Sequence, residues 1–86
     1  MIKMWIKTIK DGKIAKQAVY TDEEKMDYAR FHLHVYEACR LIDEPSPVIV
    51  KAHIFNYAKY NVVKFLPDDF VESVDFDKMS IENIAR

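Results

Sequence analysis

On either side of its single glycine the chain alternates apolar and polar residues, and that alternation restricts the first twenty positions to a pair of strands. From Ile2 to Lys10, the side chains of Ile2, Met4, Ile6 and Thr8 share one face, while Lys3, Trp5, Lys7 and Ile9 share the other. Asp11-Gly12 then supplies two residues that tolerate positive φ. Lys13 to Tyr20 resumes an extended pattern, so the segment reads as a β-hairpin.

Thr21-Asp22-Glu23-Glu24 has the form of a capping box, and the spacing predicts a helix from Asp22 to Asp43. At about 100° per residue, Tyr28, Phe31, Val35, Ala38, Cys39 and Ile42 fall in one stripe. Met26, Ala29, Leu33 and Tyr36 fall in a second, and the sector of Arg30, His34 and Glu37 reads as polar. Pro45 and Pro47 disfavour helix in the residues before them. Val48-Ile49-Val50 favours extension, Lys51 to Tyr60 suggests a shorter helix, and Asn61 to Leu66 returns to strand-forming residues. Pro67 to Phe70 reads as a turn or a single helical turn. Val74, Phe76, Met79 and Ile81 suggest a last strand broken in phase by a bulge.

These elements predict one α+β domain over residues 1–86. An antiparallel sheet from the N-terminal hairpin and C-terminal strands is covered by the long helix, with the shorter one beside it. A chain of 86 residues, half of them apolar, has material for one core and not for two. Residues 1 to 20 carry five lysines and one aspartate, whereas residues 67 to 86 carry six acids against Lys78 and Arg86. The two ends are therefore expected as neighbours in one sheet, opposite charges facing.

A formal net charge of −1 gives no bulk attraction to phosphate or anionic lipid, so any such binding must be local. The lone Cys39, the lysines that break up the N-terminal apolar residues, and the lack of any apolar run near ~20 residues predict a soluble, cytoplasmic protein without a membrane partner.

Residue patterns for catalysis or metal binding are weak. His32 and His34, two apart on a helix, point about 200° away from each other and cannot chelate one ion together. His34 with Glu37 is a pair, and zinc takes three or four ligands. Cys39 and His32 share a face but stand about 10 Å apart along a helix, beyond hydrogen-bond reach, so Cys39 reads as a core residue rather than a nucleophile. Asp68, Asp69, Asp75 and Asp77 lack the spacing of a calcium loop, and a single glycine rules out a glycine-rich phosphate loop. No enzyme activity, cofactor or metal is expected.

The stretch Pro47 to Phe65, the run Asp68-Asp69-Phe70-Val71-Glu72-Ser73-Val74-Asp75-Phe76-Asp77, and the opening Met4-Trp5-Ile6-Lys7 with Lys10-Asp11-Gly12-Lys13-Ile14 together resemble a family of small uncharacterised proteins frequent in Firmicutes. That resemblance implies a bacterial, intracellular protein and transfers no catalytic residue. The family usually has a tryptophan near Ile49 and a more basic stretch near Ala58 to Lys64, and this chain departs from it there.

The functional expectation is a small protein-interaction module that self-associates or binds another protein, using Leu33 and Tyr36 of the second helix stripe and the sheet residues Trp5, Lys3 and Lys7. The alternative is a nucleic-acid-binding accessory protein that uses the lysine-rich hairpin, with Trp5 stacking on bases and lysines following phosphates.

Overall fold

The computed structural model describes residues 1–85 and has the predicted α+β architecture. Strands β1 (Ile2–Lys10) and β2 (Lys13–Asp22) form the hairpin, and Asp11 and Gly12 both take positive φ at its turn. Two helices follow, α1 (Phe31–Leu41) and α2 (Lys51–Tyr60), then β3 (Val62–Phe65) and β4 (Lys78–Asn83). The four strands form one antiparallel sheet in the order β2-β1-β4-β3. The chain ends are neighbours, as expected, with β4 against β1, but opposite charges do not face each other in the ladder: Trp5 is opposite Glu82, Lys7 opposite Ser80 and Ile9 opposite Lys78.

One face of the sheet carries the core. Ile2, Met4 and Ile6 of β1, Val63 and Phe65 of β3, and Met79 and Ile81 of β4 are buried against Phe31, Val35, Ala38 and Cys39 of α1 and Tyr57 of α2. The two helices meet where the rings of Phe31 and Tyr57 stand 5.0 Å apart. Phe70 and Phe76 pack edge to face at 5.3 Å and close the core beneath the segment between β3 and β4.

The long helix is shorter than its sequence suggests. Thr21 and Asp22 belong to β2, opposite Lys3 and Ile2, so the capping box does not form. Asp22 Oδ1 instead accepts from the Glu24 amide at 2.8 Å, and Asp27 Oδ1 caps the 3-10 turn Tyr28–Arg30 that leads into α1. A ladder that extends a strand satisfies backbone groups at once. A helical start at Thr21 leaves its first amides to side chains alone. The helix stops at Leu41, and Asp43 takes a left-handed conformation ahead of the prolines.

Two further expectations change. The last strand begins at Lys78 and holds register with β1 and β3 throughout, so the phase break between Phe76 and Met79 is where irregular chain enters the strand, not a bulge. The bulge lies in the hairpin, where Thr8 faces Lys16 and Ile9 faces Ile14, leaving Ala15 unpaired. His34 leaves the polar sector of α1 and is buried, 4% exposed, against β2.

Candidate functional site

Because β1 and β4 are the inner strands, every second residue of each points away from the helices, and no helix among the described residues covers that side. The register brings Trp5, Glu82 and Val62 into one row, Lys7, Ser80 and Lys64 into the next, and Ile9 and Lys78 into a third. Lys7, Ile9, Val62, Lys64, Lys78 and Ser80 line a shallow trough of about 470 Å³, with Gly12 and Glu82 at its margins. Its floor is apolar and hydroxyl; its rim carries three ammonium groups and the carboxylate of Glu82.

Trp5 stands beside this trough and is held in place. Its indole N–H donates to Gln17 Oε1 at 2.9 Å, and Lys7 Nζ sits 3.6 Å from the ring centroid, a cation on an aromatic face. Among the described residues, Lys3, Lys7, Lys64 and Lys78 form no ion pair with a carboxylate. Three of the C-terminal acids are engaged elsewhere. Asp75 pairs with Lys10 at 3.8 Å, Asp77 accepts from the Asp11 amide at 2.8 Å, and Asp69 accepts from the Leu66 amide at 2.8 Å. Those contacts tie the hairpin tip and the turn after β3, leaving Lys3, Lys7, Lys64 and Lys78 against the single carboxylate of Glu82 among the described residues of the open face.

Of the residues singled out from sequence, Trp5, Lys3 and Lys7 share this open face. Leu33 and Tyr36 do not join them: they are exposed on α1, on the far side of the sheet. Lys64 and Lys78 escaped the sequence reading because their nearness to Lys7 depends on the order of β1, β4 and β3. Their signal was present locally, since each falls out of phase with the buried Val63, Phe65 and Met79.

The histidines have structural duties. Tyr20 donates to Asp22 Oδ2 at 3.3 Å and so accepts from His34 Nδ1 at 2.9 Å, which leaves His34 Nε2 buried without a hydrogen-bond partner and 4.0 Å from Glu24 Oε2. Burial, with Asp22 beside it, holds the Tyr20 hydroxyl above its ordinary pKa. This cluster fixes α1 to β2. His53 Nδ1 accepts from the Val50 amide at 3.0 Å, its ring lies 4.5 Å from Phe65, and its Nε2 faces Asp69 at 3.8 Å, fastening the start of α2 to the turn after β3. Among the described residues no three or more of His, Cys, Asp and Glu are arranged to hold a metal ion.

Cys39 is buried with its Sγ 3.8 Å from Met79 Sδ, and burial, then Glu44, pushes its thiol up to about 12. A thiol so placed is a poor nucleophile. Native protein at pH 8 is therefore expected to leave Cys39 unmodified by a thiol reagent over a time in which denatured protein reacts to completion. Equal rates in both states would contradict this burial.

No helix among the described residues is long and apolar enough to cross a membrane. No family model, curated protein or solved structure matches the chain.

Proposed function

We propose that the protein binds single-stranded nucleic acid on the open face of its sheet. The observation that carries this reading is the trough rimmed by Lys7, Lys64 and Lys78, none ion-paired among the described residues, next to Trp5 on an inner strand. Single strands need a groove that follows phosphates and an aromatic face on which a base stacks, without base-edge readout. Trp5 supplies the stacking face, which a base takes as Lys7, 3.6 Å from the ring centroid, moves from the ring to a phosphate, and the neighbouring lysines supply the electrostatic track. A flat sheet face also suits splayed bases better than a duplex, whose bases are stacked inside.

Trp5 is the only tryptophan, so its fluorescence reports on the site directly. Oligonucleotides of roughly 12 nucleotides, within the span that such surfaces cover, are titrated at about 50 mM salt. The expected result is saturable quenching by oligo-dT and oligo-U, with weaker quenching by a duplex of the same length. Unchanged fluorescence and anisotropy with both single strands would remove the reading.

A further inference from the structure

We infer that the free edge of β2 is the contact through which two copies of this chain join their sheets. β2 lies at one margin of the sheet and pairs only with β1, so along its outer side the backbone groups of a ten-residue strand face away from the sheet. Such an edge is a template for another strand unless charge, a bulge or a cover blocks it. Here the protection is uneven. The bulge at Ala15 and the charged Lys13 and Lys16 guard the first half, whereas Gln17 to Thr21 has no charge.

The strand is complementary to itself. Its lysines stand at the start and Asp22 closes the other end. A two-fold axis through Val19 sets two β2 strands antiparallel, with Val19 against Val19, Gln17 against Thr21 and Lys16 against Asp22 of the second copy. Lys16 and Asp22 lie on the same face of the sheet, opposite Thr8 and Ile2, so the pairing places unlike charges across from each other at both ends, where each Lys16, already 3.1 Å from Glu44 of its own chain, meets a second carboxylate. Register is thereby specified. With Ala18 on the axis instead, Lys16 faces Tyr20 and Asp22 faces Ile14, and the unlike charges no longer meet. The bulge at Ala15 ends the regular edge just beyond Lys16.

A groove of mixed character continues from the edge on the helix side: Leu33 and Tyr36, 41% and 53% exposed, line about 370 Å³ together with Arg30 and the acids Asp22, Glu24 and Glu37, and a second copy would cover it. On the open side the pairing makes one row of Trp5, Val19, Val19 and Trp5, since Trp5 faces Val19 within each copy. The two tryptophans then stand three strand spacings apart, about 14 Å, and the two basic faces become one surface. The contact itself rests on the edge and its charges and is independent of nucleic-acid binding.

Light scattering on eluting full-length protein tests this, at loadings from about 10 to about 100 µM, the range of a modest interface. The expected mass rises to twice 10.2 kDa. Val19 is 48% exposed, so Val19→Lys is compatible with the monomer's fold, yet it sets two lysines face to face on the axis. It is expected to raise the dissociation constant roughly tenfold or more, with the circular dichroism spectrum unchanged, while Val19→Thr remains dimeric. Amide exchange supplies a second measurement on unaltered protein: the edge amides between Gln17 and Thr21 slow with concentration. A mass of 10.2 kDa at every loading, or a dimer that Val19→Lys leaves intact, overturns the proposal. A monomer that still quenches with oligo-dT overturns the contact alone, and a dimer that binds none overturns the nucleic-acid reading alone.

Discussion

Replacing Phe31 with alanine is expected to cost about 3–5 kcal/mol of folding free energy. Phe31 is fully buried at the first position of α1, and its ring is the joint between the two helices, 5.0 Å from Tyr57. Truncation opens a cavity between elements that are each anchored to the sheet, so collapse into the space is limited. At about 0.05–0.15 kcal/mol per residue, a chain this short has little stability beyond that loss. The melting temperature should fall by at least about 15 °C, followed by far-ultraviolet circular dichroism. Leu33→Ala is the matched control, since Leu33 is exposed in the monomer and should stay within about 0.5 kcal/mol of the parent. Comparable losses from both would mean that the second helical stripe is also core, against the packing seen.

The contrast between Phe31 and Leu33 shows what the sequence made legible. Helical spacing separated two apolar stripes, and Phe31, Val35, Ala38, Cys39 and Ile42 of the first are buried, whereas its first member, Tyr28, lies in the 3-10 turn before α1 and is 40% exposed. The hairpin was equally plain, because Asp11-Gly12 marks a turn that local geometry alone selects. What failed was the start of the helix. A capping box is a local signal, and at Thr21 it lost to pairing with Lys3 and Ile2, residues nearly twenty positions away in sequence. His34 was misplaced for a related reason: a polar residue on a helix reads as solvated until the neighbouring strand brings Tyr20 to its ring nitrogen. Strand order limited the view of the open face. Trp5, Lys3 and Lys7 share a face by period two alone, whereas Lys64 and Lys78 join them only after β4 inserts between β1 and β3. The acids of the last twenty residues looked able to neutralise the lysines, yet Asp69, Asp75 and Asp77 make their contacts at the hairpin tip and in a turn, and Glu82 is the acid that β4 brings to the open face.

Because those lysines form no ion pair among the described residues, oligonucleotide affinity should fall steeply with salt. Each phosphate neutralised by a lysine on a single strand releases condensed counterions and contributes about −0.7 to the slope of log affinity against log salt. Lys3, Lys7, Lys64 and Lys78 together would give a slope near −3, so the dissociation constant rises roughly 50-fold between about 50 and about 200 mM salt. Two variants separate the charge from the aromatic contribution. Lys64→Ala, an exposed position on β3, should flatten the slope by about 0.7. Trp5→Ala, followed by anisotropy because the fluorophore is gone, should leave the slope unchanged and weaken binding by about 1–3 kcal/mol at every salt concentration. The two effects act on different features of the same plot, which ties the result to this face. Binding with a steep slope that Lys64→Ala does not flatten would place the phosphates on other lysines, such as Lys13 at the hairpin tip, and the trough would no longer explain it.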